Sequence, residues 1–151
     1  MGKEFDISTD SIEINASFLI ADLAGYTSLT EVHGDLSAAD LVSRYIEIVK
    51  ESLEEDTNLV EQIGDEVLIT SGNPKSILKT AINIINKTEK EPNFPSVHIG
   101  LHPGKVIKRT GRYFGNTLNL TSRICSYSRS GQILCSYKYS KKFINNPQDY
   151  I

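Results

Sequence analysis

Phe18-Leu19-Ile20-Ala21 is an unbroken apolar run, preceded by Ala16-Ser17 and closed by the acid Asp22. No other segment narrows the possible folds as much. A run this short, ending in a charge, reads as a buried strand. Around it the chain has 151 residues, 39% of them hydrophobic and 23% charged, enough for one domain with a real core and too little for two.

The elements that follow are set by local signals. Gly25 and Thr27 break the strand and can open a helix. From Ser37, a candidate cap with Asp40 in the first turn, the residues Leu41, Tyr45, Ile48, Val49 and Leu53 share a helical face. Residues 59–63 and 66–70 are β-rich and separated by Gly64-Asp65, which predicts a hairpin. Pro74 marks another helix start, with the stripe Ile77, Leu78, Ala81, Ile82 and Ile85 ahead of a loop over 89–95. Val97, Ile99 and Leu101 alternate with His98 and Gly100 as a strand that leads through Pro103-Gly104 into a second, Val106-Ile107-Lys108. A helix over 115–127 and a strand over 132–135 complete the order β-α-α-β-β-α-β-β-α-β.

That order predicts an α+β fold. It is a ferredoxin-like βαββαβ sandwich with an added helix and hairpin, its helices on one face of an antiparallel sheet. Residues 1–15 read as an N-terminal lead-in or short strand, and 16–151 as the domain.

Charge and cysteine usage limit the functional classes. Residues 1–66 carry 16 acidic and 3 basic side chains, whereas 67–151 carry 3 acidic and 13 basic. The chain is an electrostatic dipole along its sequence, suited to neutralisation within the molecule or to head-to-tail pairing of two copies. The basic half lacks the interleaved aromatic pattern of a nucleic-acid binder, so no nucleic acid is expected. Neither a membrane span nor a signal peptide is visible, which predicts a cytoplasmic protein without a membrane partner. Cys125 and Cys135 lack metal-ligand or framework spacing and read as reduced thiols. His33, His98 and His102 receive no catalytic role; the last two read as hydrogen-bonding groups on or beside a strand.

Three groups of residues carry candidate chemistry. Asp22 ends the first strand and Asp65 sits at the hairpin tip. If strand and hairpin are neighbours, the carboxylates converge, and hard oxygen ligands of this kind hold Mg²⁺ or Mn²⁺ together with substrate phosphates. The same two residues also suit a cap and a turn. Gly25, Tyr26 and Thr27 place backbone donors at a helix start, a site for phosphate or simply a strand-to-helix turn. Asn119 and Arg123 lie four apart on one helical face, suited to a sugar oxygen and a phosphoryl oxygen, or to an ordinary polar surface.

Taken together, these residues resemble the catalytic domain of the class III nucleotidyl cyclases, the family of adenylate and guanylate cyclases. The resemblance is carried by Phe18-Leu-Ile-Ala-Asp-Leu-Ala-Gly-Tyr-Thr27, Gln62-Ile-Gly-Asp-Glu-Val67, Gly100-Leu-His-Pro-Gly-Lys-Val106 and Tyr113-Phe-Gly-Asn-Thr-Leu-Asn-Leu-Thr-Ser-Arg123. They stand in family order and spacing across roughly residues 16–136. The resemblance implies that Asp22 and Asp65 bind two Mg²⁺ or Mn²⁺ ions, that Asn119 orients the ribose, and that Arg123 stabilises the pentavalent phosphorus. It also implies a nucleoside triphosphate substrate, ATP or GTP, and a head-to-tail homodimer whose sites take metals from one copy and Asn119 and Arg123 from the other.

The sequence departs from the adenylate cyclase pattern at the base-reading positions. A lysine four residues before the second metal aspartate and an aspartate seven before the ribose-binding asparagine are replaced by Glu61 and Arg112. A lysine donates and a carboxylate accepts, so both polarities are reversed. Glu61 resembles the guanylate cyclases and suits the N1–H and 2-amino edge of guanine, with Arg112 donating to O6 or N7. The alternative is a catalytically degenerate nucleotide-binding or dimerisation module in which Glu61 and Arg112 pair across the dimer. The C-terminal end is short for the family; Lys141 and Lys142 are candidates for its triphosphate-binding lysine or for a solvated tail.

Overall fold

A computed structural model describes residues 11–143, except for the side chains of 26–30 and 32–36. The chain runs β1 (Ser11–Leu23), α1 (Tyr26–Ser52), β2 (Asn58–Ile63), β3 (Glu66–Ser71), α2 (Pro74–Lys90), β4 (Val97–Arg109), β5 (Arg112–Phe114), α3 (Asn116–Tyr127), β6 (Ile133–Cys135) and α4 (Tyr137–Ser140), with a 3-10 turn at Lys141–Phe143. The sheet order is β2-β3-β1-β4-β5, and β6 pairs with β4. The β2-β3-β1-β4 part is the ferredoxin-like arrangement. All its pairs are antiparallel; β6 lies parallel to β4.

The apolar run over 16–22 occupies the middle of the sheet because both its faces are covered. Leu19, Ala21 and Leu23 pack with Val67, Ile69, Ile99 and Leu101 against Tyr45 and Val49 of α1 and Ile77, Ala81 and Ile84 of α2. Phe18 and Ile20 point the other way and pack with Leu68, Val106 and Cys125, the last on α3. Helices on one face only is therefore corrected: α3 covers the second face. Gly100 permits this approach. A Cβ there would stand 2.4 Å from the backbone nitrogen of Cys125, closer than any packed pair of atoms.

Two further expectations are corrected. The helix expected to start at Ser37 is the second half of one continuous α1 starting at Tyr26. Its start is set by Gly25 in the left-handed region (φ 71°), and one interior glycine, Gly34, costs a helix only about 1 kcal/mol. Pro103-Gly104 makes no turn; it lies inside β4, opposite Ser17 and Ala16. The proline is tolerated because it falls between the part of β4 that pairs with β6 (residues 99–101) and the part that pairs with β5 (107–109). On that edge the missing N–H has no strand to meet. The hairpin at Gly64-Asp65 and the helix opened by Pro74, capped by the Asn73 side chain on Lys75 N, stand as expected.

Candidate functional site

Antiparallel pairing of β1 with β3 (Ala21 opposite Val67) brings the end of β1 beside the β2–β3 turn. Asp65 Oδ2 there accepts the Leu23 N–H at 3.0 Å. The structure thus brings Asp22 and Asp65 to one edge, both half-buried. Asp22 is held above the ordinary carboxylate range, chiefly by burial and then by the charge of Asp65; His98, directly across on β4, and a hydrogen bond with the Cys125 thiol act in the opposite sense. Glu66 is raised for the same reasons, burial first and then Asp22, Asp65 and Glu61. Three carboxylates therefore crowd one edge, and among the described residues His98 is the one charge that offsets Asp22.

Two of them, Asp22 and Asp65, are hard oxygen donors of the kind that suits a divalent cation completing its shell with substrate oxygens. Among the described residues no group of three or more His, Cys, Asp and Glu is arranged to hold a metal by itself. A two-carboxylate site leaves those positions to phosphate and water, so the residues present fit Mg²⁺ or Mn²⁺. Next to it, α1 begins at Tyr26 after Gly25 with no side-chain cap and no acid in its first turn, which leaves its first N–H groups open to an anion. The side chains of Tyr26, Thr27 and His33 lie outside the described residues.

Asn119 and Arg123 share the exposed flank of α3, whose buried side carries Thr121 and Cys125. Asn119 lines a cavity of about 210 Å³ with Ile20, Leu68, Leu118, Ser122, Glu61 and Glu66 on its walls, and Ile63 at the rim. Buried apolar residues beside polar ones suit a flat ring bearing hydrogen-bonding edges, and the volume is that of part of a ligand, not of a whole nucleotide. Arg123 forms no ion pair among the described residues. An uncommitted guanidinium beside an amide is free to meet a phosphoryl group.

Glu61 and Arg112 pair within one chain. Their closest atoms, Glu61 Oε1 and Arg112 Nε, are 3.9 Å apart, and the same Oε1 accepts the Tyr113 N–H at 3.3 Å. The alternative reading pairs these two residues across a dimer; they already meet within one chain. His98 and His102 act as hydrogen-bonding groups, to Ser128 O at 2.8 Å and Ser136 Oγ at 2.7 Å. Both cysteines are free thiols. Lys141 lies over the Tyr137 ring at 4.9 Å, and Lys142 is exposed. Among the described residues no helix is long and apolar enough to cross a membrane.

Sequence reasoning missed Glu66, Cys125 and Tyr45. Glu66 had a visible signal, since it directly follows Asp65. The other two had none, because only the fold brings the Cys125 thiol to Asp22 and buries the Tyr45 hydroxyl, without a hydrogen-bond partner among the described residues, within reach of the Asp22, Asp65 and Glu66 charges.

Residues 10–148 match the family model for the adenylate and guanylate cyclase catalytic domain. A pH-sensitive adenylate cyclase of Mycobacterium tuberculosis is 28% identical over 114 residues, covering 76% of this chain and 29% of the relative. An adenylate cyclase of Streptomyces griseus is 29% identical over 128 residues, covering 83% and 32%. The chain thus spans about a third of the length of these relatives. The crystal structure of an adenylate/guanylate cyclase/hydrolase from Silicibacter pomeroyi superposes with a TM-score of 0.76 at 23% identity, covering 94% of this chain and 84% of that one; at that identity it shows the fold. The fold, the motif segments and the family match agree, and the chain belongs to the adenylate and guanylate cyclase catalytic domain family.

Proposed function

We propose that this chain is a nucleotide cyclase that converts a nucleoside triphosphate, GTP in preference to ATP, into a 3′,5′-cyclic nucleotide and pyrophosphate. The convergence of Asp22 and Asp65 at the end of β1, where His98 is the one charge among the described residues that offsets Asp22, carries the reading. These two residues would hold two Mg²⁺ or Mn²⁺ ions, which when bound neutralise the triphosphate and promote loss of the 3′-hydroxyl proton.

The remaining work falls to side chains and backbone. The ribose 3′ oxygen attacks the α-phosphorus, its proton passes to solvent water, and the bond to the pyrophosphate oxygen breaks. Arg123 meets the charge that grows on the phosphoryl oxygens, a contribution of about 3–4 kcal/mol where such a donor is pre-placed. Asn119 holds the ribose so that the 3′ oxygen faces phosphorus. The open N–H groups after Gly25 receive a phosphate oxygen. Arg123 is exposed on α3 and has no charged partner among the described residues of its own chain, which suits a head-to-tail homodimer with the acidic half of one copy against the basic half of its partner.

The preference for guanine rests on Glu61, which places an acceptor-only carboxylate on the cavity wall. Guanine offers two adjacent donors, N1–H and the 2-amino group, whereas adenine offers an acceptor at N1. A second reading, a nucleotide-binding or dimerising module without turnover, draws on the contact of Glu61 with Arg112, which already engages one carboxylate oxygen.

Product formation from ATP, GTP, CTP and UTP with Mg²⁺ and with Mn²⁺, followed by mass spectrometry, tests the proposal. Cyclic GMP as the main product, lost in Asp22→Ala, is the expected result. No cyclic product from any of the four, with nucleotide binding and self-association retained, would establish the second reading instead.

A further inference from the structure

A second cavity, of about 230 Å³, lies between the last turns of α2 and the loop over 91–96 that leads into β4. It is slightly larger than the cavity beside Asn119, of about 210 Å³, so it too admits one ring and not a whole nucleotide. Ile85, Phe94, Pro95 and Val97 give it an apolar lining. The loop is pinned at both ends. At one end the Arg44 guanidinium of α1 donates to both carboxylate oxygens of Glu91, at 2.7 and 3.0 Å. At the other, Ser96 O accepts the Ala24 N–H at 2.8 Å. Anchors at both ends pre-form the cavity, which lowers the ordering cost of an occupant.

The polar side chains on its wall are Thr88, Glu89 and Ser96. Thr88 Oγ1 is spent within α2, on Ile84 O at 2.8 Å and Ile85 O at 3.1 Å. The Glu89 carboxylate and the Ser96 hydroxyl have no ion pair or hydrogen bond among the described residues. Among those residues no lysine, arginine or histidine lines the cavity. A free carboxylate and a free hydroxyl beside an apolar wall suit a cation with a compact apolar body, whereas an anion would face Glu89 with nothing to offset it.

We infer that this cavity is an effector site for a ring-sized organic ammonium ion, held by Glu89 and Ser96 and acting on the β1–α1 turn through the Ser96 backbone. Ala24, which Ser96 O holds, stands between Asp22 and the Gly25 that opens α1. The backbone that walls the cavity therefore also holds the turn beside Asp22. Val97 O accepts the Gly131 N–H at 3.0 Å, which ties the loop before β6 to the same wall. An occupant that shifts this wall favours one position of the turn over another, and effector and nucleotide then change each other's affinity by the same factor. The part of the turn in phosphate binding rests on the cyclase reading above; the cavity and its ligand do not.

The test is amide NMR of the full chain, free of nucleotide and metal, titrated with phenethylamine. Phenethyl alcohol and phenylacetate carry the same ring with a hydroxyl or a carboxylate in place of the ammonium. The amine should bind with a dissociation constant of about 1 mM, ordinary for a ligand of this size in a preformed site. Its binding should shift the amides of Glu89, Ser96, Val97 and Gly131 together with that of Ala24, and leave those of Leu118 and Asn119 in place. The alcohol should bind about tenfold more weakly, the equivalent of one lost charge-assisted hydrogen bond, and the carboxylate more weakly still. Glu89→Gln should weaken the amine about tenfold and leave the alcohol within about threefold. Glu89 is exposed and unpaired among the described residues, so the variant should fold as the unmodified chain does, and its amide spectrum reports this directly.

No saturable shift by about 10 mM amine, equal binding of amine and alcohol, or an amine affinity unchanged in Glu89→Gln would overturn the inference. So would shifts around the cavity with Ala24 unmoved, or shifts centred on Asn119. No nucleotide enters the titration, so each of these outcomes leaves the cyclase reading as it stands, and a chain without turnover would leave the ammonium site as it stands.

Discussion

Glu61 and Tyr113 lie on strands at opposite edges of the sheet, yet the Glu61 carboxylate accepts the Tyr113 N–H at 3.3 Å. Three strands separate them, so the contact requires the sheet to coil around the face that carries α3. A register shift between Leu59 and Glu61 re-aims β2 at this point, the usual work of a bulge beside a functional site. Glu61 also lines the cavity. Structure and selectivity are thereby joined in one side chain.

Glu61→Gln separates the two. The amide oxygen still accepts the Tyr113 N–H, and the partner is a largely exposed arginine, so stability should change by less than about 1 kcal/mol. The amide also presents a donor where the carboxylate had only acceptors, which suits N1 of adenine. The ratio of kcat/KM for GTP over ATP should fall about tenfold or more. An unaltered ratio in steady-state assays would remove Glu61 from base reading.

Gly100 and Gly104 both lie on the face of β4 under α3, and their substitution should differ in cost. The Cβ of Gly100→Ala would meet helix backbone, Cys125 N at 2.4 Å and Thr121 O at 2.9 Å. Backbone cannot step aside, so the loss should reach about 3 kcal/mol. At Gly104 the obstacle is the Thr117 side chain at 2.5 Å, which can turn at the cost of its hydrogen bond to Lys105 O, about 1 kcal/mol. Urea unfolding of the two variants measures the difference.

These glycines also show where sequence reading stops. The hairpin at Gly64-Asp65 and the helix opened by Pro74 were legible because turn and cap chemistry act over a few residues. The neighbourhood of Asp22 and Asp65 was legible because a strand followed by a helix and a hairpin has few ways to pair. The face that α3 covers was not, since an apolar stripe on a helix does not say which side of a sheet it meets; the cue lay in Gly100, a missing side chain on another element. Ser37 misled because a good cap residue, when the helix continues past it, is only an exposed helical serine. The contact of Glu61 with Arg112 depends on sheet coiling, for which no local signal exists.

Tyr45 is fully buried and its hydroxyl has no hydrogen-bond partner among the described residues. Burial, and after it the Asp22, Asp65, Cys125 and Glu66 charges, push its ionisation well above the ordinary phenol range. The hydroxyl stays protonated and bears an unmet desolvation cost. Tyr45→Phe removes that cost while keeping the ring, so the variant should be more stable by about 1 kcal/mol. A lower melting temperature for Tyr45→Phe would mean that the hydroxyl holds a bond to water.

His102 gives the fold a pH dependence of known sign. Burial, and next to it the Lys138 charge, hold its pKa below the ordinary 6.5, and Ser136 Oγ, which bonds to its Nδ1 at 2.7 Å, also caps α4 by accepting the Tyr139 N–H. The folded chain therefore favours neutral imidazole, and on acidification the unfolded chain takes up its proton first. This contribution is intact above pH 6.5 and is lost as pH falls below it. Melting temperatures between about pH 5.5 and 7.5, a range in which ordinary carboxylates stay ionised, should decline toward acid, and His102→Gln should flatten the decline. An equal slope in both proteins would assign it elsewhere.

If each site takes Asp22 and Asp65 from one copy and Asn119 and Arg123 from its partner, two inactive chains should rescue one another. Arg123 is exposed and has no ion pair among the described residues, so Arg123→Ala should alter stability by less than about 0.5 kcal/mol while turnover falls about 100–1,000-fold. Asp22→Ala should fold as well, since it relieves crowded carboxylates, and lack activity. In an equimolar mixture, random exchange makes about half of the dimers mixed, and each mixed dimer has one site with both mutations and one with neither. About a quarter of the original activity should therefore return on mixing. Activity that stays at the sum of the two inactive chains, with exchange verified by mass spectrometry, would place all four residues in a site within one chain.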